Sequence, residues 1–195
     1  FEEKYRNTRK VLEQLISIDC ELNISTKSDL ILRDTDLLKQ CNNLKVSVSV
    51  NTLDEQFKRD MDHASSIGKR LETLETLHKN GIYTVLFMSP IFPGITDYKD
   101  IIVKTQRYVD EYWFENLNLR GSYKQDILDY IKSACPQLAE LYDDIYVNGN
   151  MNFWNSLSFE IEEYCALHSV KHINYFYHKE LVAAKLNQTG ESGEV

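Results

Sequence analysis

Short runs of apolar or β-branched residues alternate with segments in which apolar residues recur every three or four positions. The first kind of pattern is typical of buried strands and the second of amphipathic helices. We predict strands over 20–27, 44–51, 82–89, 110–118 and 171–177. We predict helices over 1–17, 34–41, 65–80, 97–107, 122–134, 136–145 and 152–168. Repeated strand–helix units predict an α/β protein with a parallel sheet covered by helices.

Two helix ends carry local signals. Asp34 is a predicted N-cap for the helix over 34–41, because a carboxylate there can accept a bond from the backbone of the first turn. Gly81 follows Asn80 where the apolar periodicity of 65–80 stops. Glycine tolerates the left-handed conformation found just after many helices, so this helix is predicted to end there.

The first two strands alternate between polar and apolar side chains. In 21–27 and in 46–51 the odd positions are polar, whereas the even positions are mostly apolar. An open doubly wound sheet has helices on both faces, whereas a (β/α) barrel has them outside only. The alternation therefore favours a barrel with a polar interior near its carboxyl-terminal mouth. An edge strand with one wet face is the alternative.

Composition limits the function classes. The 195 residues are 43% hydrophobic, which is enough to bury a core without disulfides or metals. The net charge of −8, without a basic run, disfavours a stand-alone nucleic-acid binder. No apolar run approaches the roughly 20 residues that span a bilayer, and no signal peptide is recognisable, so we expect a cytoplasmic protein without a membrane partner.

The four cysteines show no CxxC-type spacing, and we expect free thiols and assign no metal ligand. GxGxxG, GxxxxGK[ST] and GxSxG are also absent, so dinucleotide, P-loop and nucleophile-elbow chemistry are not supported.

Several segments, in this order and spacing, resemble radical S-adenosylmethionine (SAM) proteins related to spore photoproduct lyase. They are 25–34, 46–54, 62–71, 81–97 and Phe114-Glu115. The resemblance covers residues 1–135. It implies a partial TIM barrel of the (β/α)6 type with parallel strands, in which 1–135 is the carboxyl-terminal part. Residues 136–195 are expected to form a helical extension with a late strand and a frayed tail after about residue 186.

The same resemblance implies SAM as a small-molecule cofactor and a [4Fe–4S] cluster held by CxxxCxxC after the first strand. This sequence has no CxxxCxxC. We therefore expect the first two βα units and the cluster-binding segment to lie upstream of Phe1, with a cluster present only if cysteines exist there.

Four residues are candidate cofactor contacts. By resemblance, the Lys27 ammonium pairs with the SAM carboxylate, Ser49 bonds the methionine or ribose part, and Ser89 offers backbone groups to the adenine. Asn51 shares the parity of Ser49 and is expected to line the cavity. The alternative for Lys27 is a solvated loop lysine, and for Ser49 a small residue that relieves crowding. For Ser89 it is a strand terminator, and for Asn51 a turn amide. The catalytic residues stay unknown.

Other candidates are weaker. Glu115 and Asn118 can reach the barrel mouth if the strand has the required parity, but Glu115 fits an ordinary rim residue better. His168 and His172 have the spacing of a metal pair, but a helix end falls between them and no HExxH motif surrounds them. The aromatic run 175–177 is expected to pack a late strand or an interface.

The expected function is that of part of a radical SAM enzyme, in which SAM is cleaved to a 5′-deoxyadenosyl radical that abstracts hydrogen from an unknown substrate. By resemblance the substrate could be nucleic acid, although the acidic charge does not support it. One alternative is a non-radical (β/α)-barrel lyase or isomerase with Lys27 as a Schiff-base amine. The other is a degenerate barrel that acts as a binding domain.

Overall fold

The computed structural model describes residues 2–176, in which five parallel strands form one sheet in the order β1-β2-β3-β4-β5. The strands are β1 (Glu21–Thr26), β2 (Asn43–Ser49), β3 (Tyr83–Ile91), β4 (Glu111–Asn116) and β5 (His172–Asn174). Each strand pairs with the next one along the chain. A doubly wound sheet reverses its strand order at a switch point, and this sheet does not. The sequential order is that of a barrel wall, as predicted.

Helices connect the strands and cover one face of the sheet. They are α1 (Glu2–Tyr5), α2 (Asn7–Leu15), α3 (Thr35–Leu38), α4 (Glu55–Met61), α5 (Ile67–Lys79), α6 (Tyr98–Thr105), α7 (Tyr123–Ala134), α8 (Ala139–Tyr146) and α9 (Asn152–Leu167). Short 3₁₀ turns cover Asp29–Asp34 and Pro136–Leu138. The α/β prediction is confirmed. No helix in the described part of the chain is long and apolar enough to cross a membrane.

Local chemistry explains the ends of α5. The Ser66 side chain accepts a bond from Lys69 N at 3.3 Å and caps the helix start. After Lys79 the chain leaves the helix through Asn80 and Gly81, whose φ of 76° suits glycine. The predicted stop at this position is confirmed.

Two parts of the helix prediction need correction. The helix over 1–17 is broken at Arg6, whose left-handed φ of 50° divides it into α1 and α2. Helix α4 was not predicted, since Phe57 and Met61 are too few apolar positions to show a period. Asp54 caps it by accepting bonds from two backbone N–H groups.

Asp34 precedes α3, but its side chain makes no capping bond. It is buried instead, and it accepts bonds from Arg33 at 2.7 Å and from Arg9 at 3.3 Å. Arg33 also binds the Glu2 carboxylate. Because two guanidinium groups hold its carboxylate, Asp34 does not cap the helix. Through Arg9 and Arg33 it links α2 and α1 to the rest of the protein.

Register places alternate residues of the strands on two different surfaces. Paired residues such as Ile24 and Val46 point to the helix side, where Val46, Val48, Leu86, Met88 and Phe114 are fully buried. Ser25 pairs with Ser47 on the opposite, inner face, and their hydroxyls lie 2.6 Å apart. The predicted polar parity of the first two strands therefore matches the inner face of the sheet.

The late strand was predicted over 171–177, and β5 occupies three residues of that segment. It pairs in parallel with β4, Trp113 opposite Ile173. A strand from the expected extension thus belongs to the same sheet as residues 1–135, while the division at residue 135 stays a prediction. The tail expected to fray lies outside the described residues.

Candidate functional site

The four predicted cofactor contacts end three neighbouring strands at one edge of the sheet. Lys27 follows β1, Ser49 is the last residue of β2, Asn51 lies two residues later, and Ser89 lies near the end of β3. Asn51 Nδ2 donates to the carbonyl of Pro90 at 3.0 Å, which joins the ends of β2 and β3. The carboxyl ends of barrel strands are where functional groups gather in this architecture. The fold thus brings the four residues to one edge.

Ser49 combines burial with an open bonding position. It is 9% exposed, and its backbone carbonyl accepts a bond from Arg70 Nη1 at 3.1 Å. Within residues 2–176 its hydroxyl has no hydrogen-bond partner. A rigidly held hydroxyl of this kind on the inner face can bond a ligand.

Asp62, between α4 and α5, gathers three cations. Its carboxylate lies 2.6 Å from Arg70 Nη2, 3.4 Å from Lys58 Nζ and 3.7 Å from Lys27 Nζ. Burial raises the pKa of the Asp62 carboxyl, but bonding and charge from Arg70 outweigh it and hold that pKa below its ordinary value. Three cations around one anion leave excess positive charge at this edge, which suits an anionic group on a ligand.

Arg70 was missed as a site residue. It is 2% exposed, and it donates to the carbonyls of Ser65 and Ser49 as well as to Asp62. The signal in the sequence is its place in the apolar stripe of α5, three residues after Ile67 and four before Leu74. A buried arginine must find acceptors. These three bonds fix the end of β2 against the α4–α5 connection, whose Asp62 lies 3.7 Å from Lys27 Nζ. We call Lys27, Ser49, Asn51, Asp62 and Arg70 the polar half of the edge.

The side chains on the inner face change from polar to aromatic at β3. Phe87 lies opposite Ser49 in register, and Trp113 lies opposite Phe87. The rings of Phe87 and Trp113 meet edge to face at 5.6 Å, and Tyr175 packs against Trp113 at 5.8 Å. Glu115 follows on the same face and accepts a bond from the Ser89 hydroxyl. We call Phe87, Trp113, Glu115 and Tyr175 the aromatic half of the edge.

A cavity of about 770 Å³ opens beside the aromatic half. It lies between the end of β4, the connection that follows it, and the start of α9. Its lining is largely apolar, with a few polar groups. It is formed by Phe87, Trp113, Glu115, Asn116, Leu117, Asn118, Leu119, Arg120, Ile145, Tyr146, Met151, Trp154, Tyr175 and Phe176.

Glu111, the first residue of β4, positions the aromatic half. Its buried carboxylate accepts bonds from Lys45 at 2.7 Å, Tyr83 at 3.0 Å and the Trp113 indole at 3.1 Å. Burial raises the pKa of Glu111, but the hydrogen bonds from Lys45, Trp113 and Tyr83 bring it below its ordinary value of 4.5. The ionised carboxylate therefore fixes the plane of the Trp113 ring.

The histidine pair considered from the sequence is engaged elsewhere. His172 Nε2 lies 2.9 Å from Glu162 Oε2, and the His168 ring packs on Tyr164. The chain's four cysteines are free thiols in separate places: before β1, before β2, after α7 and within α9. In the described part of the chain no three His, Cys, Asp or Glu side chains are grouped so as to hold a metal ion. The described residues therefore do not fit a [4Fe–4S] cluster.

Comparison with known proteins identifies the family. The family model described as the radical SAM superfamily matches residues 2–103, which is just over half of the chain. The chain belongs to the radical SAM superfamily. This finding confirms the broad resemblance on which the SAM site was predicted. The match is to the superfamily as a whole and does not distinguish the spore photoproduct lyase group within it.

Two curated proteins are similar to this radical SAM chain, and both are uncharacterised. One, from Methanocaldococcus jannaschii, is 37% identical over 141 residues, covering 72% of this chain and 53% of its own length. The other, from Acidianus two-tailed virus, is 29% identical over 139 residues, covering 66% of this chain and 45% of its own length. The chain thus spans about half the length of these relatives.

Among solved structures, the radical SAM chain resembles SuiB of Streptococcus suis. A crystal structure of SuiB bound to S-adenosylmethionine superposes with a TM-score of 0.59 at 12% identity. A second SuiB structure gives the same score, and each covers 88% of this chain and 36% of the SuiB chain. At this identity the likeness supports the fold, and it agrees with a partial barrel.

Proposed function

We propose that this chain forms the SAM-binding edge of a radical SAM enzyme. The observation that carries the proposal is the arrangement of Lys27, Ser49, Asn51 and Ser89, which end three adjacent parallel strands at one edge. Membership in the superfamily makes SAM the expected ligand of that edge. Lys27, Ser49, Asn51 and Ser89 would hold SAM, which would supply radical chemistry for hydrogen abstraction together with a cluster held by residues outside this chain.

The chemistry of the polar half suits the amino-acid end of SAM. Lys27 carries a positive charge, and its side chain is 43% exposed, so it can turn from Asp62 to a ligand carboxylate. The Ser49 hydroxyl stands on the inner face without a partner in the described structure. Asn51 follows β2 and Ser89 lies near the end of β3, where the nucleoside part of SAM would extend. These residues bind and orient the cofactor, while the barrel face excludes water.

The cluster is assigned to residues outside this chain. The four cysteines lie in separate places, and the CxxxCxxC motif does not occur in the sequence. The proposal therefore requires the full-length gene product to supply that motif from another segment. Four free thiols also favour a reducing compartment, so we propose the cytoplasm.

By its likeness to spore photoproduct lyase, the enzyme is proposed to act on its substrate by hydrogen abstraction with the radical. DNA as the substrate is disfavoured by the net charge of −8. The alternative of a Schiff-base lysine is also less well supported. Such a lysine works as a free amine in an apolar pocket, whereas Lys27 is half exposed and ion-paired with Asp62.

The test uses the full-length gene product, reconstituted without oxygen with iron and sulfide. Addition of SAM and dithionite is expected to yield 5′-deoxyadenosine, which liquid chromatography measures. SAM binding is measured separately by calorimetry. Lys27→Met is expected to weaken SAM binding on the order of tenfold to a hundredfold, because it removes a charge-assisted bond.

The matched control is Lys39→Met, which removes an exposed lysine after α3 at a distance from the edge. It is expected to leave SAM binding unchanged. Equal affinities for the two variants would overturn the assignment of Lys27. SAM binding without any 5′-deoxyadenosine from the reconstituted protein would favour the binding-domain alternative.

A further inference from the structure

We propose that the cavity beside the aromatic half binds a planar aromatic group bearing a positively charged nitrogen, with Glu115 as its counter-charge. This inference rests on the proposed function, because the ligand would be the substrate presented to the SAM edge. It assigns a chemical class to the substrate.

The cavity has the size and lining of a small-molecule site. Its volume of about 770 Å³ lies within the range of roughly 300–1,000 Å³ that such sites occupy. The rings of Phe87 and Trp113 line it on the sheet side. Trp154 of α9 and Phe176, which follows β5, also line it, with their rings 5.2 Å apart. Aromatic walls of this kind favour a planar apolar group through edge and face contacts.

The sheet-side wall is preorganised. The Trp113 indole N–H is bonded to the buried Glu111 carboxylate at 3.1 Å, and the ring is only 6% exposed. Phe87 packs against its face at 5.6 Å. Because these rings are already fixed, a ligand that packs on them loses little free energy to ordering the protein.

Glu115 supplies the charge selectivity. It lies two residues after Trp113 on the same strand, so both side chains project from the inner face into the cavity. Across residues 2–176 its carboxylate accepts one bond, from Ser89, and has no cationic partner. A carboxylate beside aromatic rings attracts a planar cation, because the ring faces favour the same charge.

Arg120 also lines the cavity, with the opposite charge. Its Nε donates to Asn118 at 2.9 Å, and it stands on the connection after β4. Glu115 stands on the strand itself, beside the aromatic rings, and is bonded to Ser89 at the SAM edge. Glu115, rather than Arg120, therefore anchors the charged group of the ligand at the side of the cavity next to Ser89.

Two probes of equal shape and opposite charge test this inference. Benzamidine is a planar aromatic cation, and benzoate is its anionic counterpart. Saturation-transfer NMR on the full-length protein is expected to detect benzamidine with a Kd of about 1 mM and benzoate at least about tenfold weaker. Glu115→Gln keeps an acceptor for Ser89 but removes the charge, and it is expected to weaken benzamidine binding about tenfold.

The control is Glu163→Gln, an exposed position on α9 outside the cavity lining, with unchanged benzamidine binding expected. Equal binding of the two probes, no binding of benzamidine, or indifference to Glu115→Gln would overturn the inference. Thermal unfolding checks that both variants are folded.

Measurements with and without SAM distinguish a failure of this inference from a failure of the proposed function. Benzamidine binding needs neither cluster nor SAM, so its failure leaves 5′-deoxyadenosine formation untouched. With SAM added, benzamidine is expected to stay bound. Displacement of benzamidine by SAM would mean that the cavity belongs to the SAM site, and would overturn the assignment to substrate.

Discussion

The two halves of the carboxyl edge adjoin the same sheet, yet their residues differ in chemical type. In the polar half, Asp62 and Arg70 form a partly buried ionic group next to Ser49. In the aromatic half, Phe87 lies opposite Ser49 in register, and Trp113 lies opposite Phe87. Since register fixes which residues are neighbours, a change of residue type between β2 and β3 divides one edge into two environments.

This difference would allow one barrel edge to hold a zwitterionic cofactor beside a planar aromatic cation. The polar half offers cations and hydroxyls to a zwitterionic cofactor. The aromatic half offers ring surface and the carboxylate of Glu115 to a second ligand. Ser89 bonds to Glu115 and so joins the two halves at their boundary.

The largest expected effect comes from breaking the polar half at Arg70. Arg70→Leu leaves the Asp62 carboxylate and two backbone carbonyls without their buried donor. We expect a loss of about 3–5 kcal/mol in the free energy of unfolding, because removing one partner of a buried ion pair strands the other. Urea unfolding followed by circular dichroism measures it.

Arg59→Leu is the matched control for this change. Arg59 is exposed on α4, where it bonds to Gln56, and its loss is expected to cost less than about 0.5 kcal/mol. A similar, small cost for both variants would show that Arg70 does not organise the polar half.

A smaller effect is expected in the aromatic half. Glu111→Gln weakens the bonds to Lys45, Tyr83 and Trp113, and we expect a loss of about 1–3 kcal/mol in the free energy of unfolding at pH 7. The folded pKa of Glu111 is lowered, so its stabilisation is present above the ordinary value of 4.5 and is lost as the pH falls through the folded pKa.

Urea unfolding between pH 6 and pH 3 measures this dependence. The stability of the unaltered protein is expected to fall more steeply over that range than the stability of Glu111→Gln. Parallel curves would argue against an ionised, hydrogen-bonded Glu111 beneath Trp113.

The smallest effect on stability is expected at Ser49, in the polar half. Ser49→Ala removes a hydroxyl that has no partner in the described structure, so stability is expected to change by less than about 0.5 kcal/mol. SAM binding by calorimetry is expected to weaken several-fold, since one hydrogen bond is lost. Ser156→Ala, at an exposed position on α9, is the neutral control.

Phe87→Leu makes the reverse comparison. It removes ring contacts from the aromatic half opposite Ser49, and it is expected to leave SAM binding unchanged. If Phe87→Leu weakened SAM binding as much as Ser49→Ala, the two halves would act as one site.

Much of the fold was predictable because its signals are local. The polar parity of β1 and β2, the apolar period of α5 and the Gly81 stop each lie within a few residues, and each is confirmed. Helix α4 was missed because seven residues with two apolar positions carry no clear period. The break at Arg6 was missed because the apolar pattern over 1–17 gives no sign of the left-handed backbone at that residue.

The site was predictable in part for the same reason. Lys27, Ser49, Asn51 and Ser89 follow strands whose carboxyl ends must share an edge. Their roles toward SAM stay predictions. Arg70 and Glu111 were missed because both are charged residues that the fold buries, and a sequence pattern treats a charge as exposed unless its partner is known.

The sequence by itself determined the alternation of strands and helices, the polar side of the first two strands and the family. Tertiary structure decided which charges and rings meet. Arg70 reaches Ser49 across 21 residues and Ser89 reaches Glu115 across 26, in both cases between different elements. Such contacts depend on the register and packing of whole strands and helices, so they arise only when the sheet is assembled.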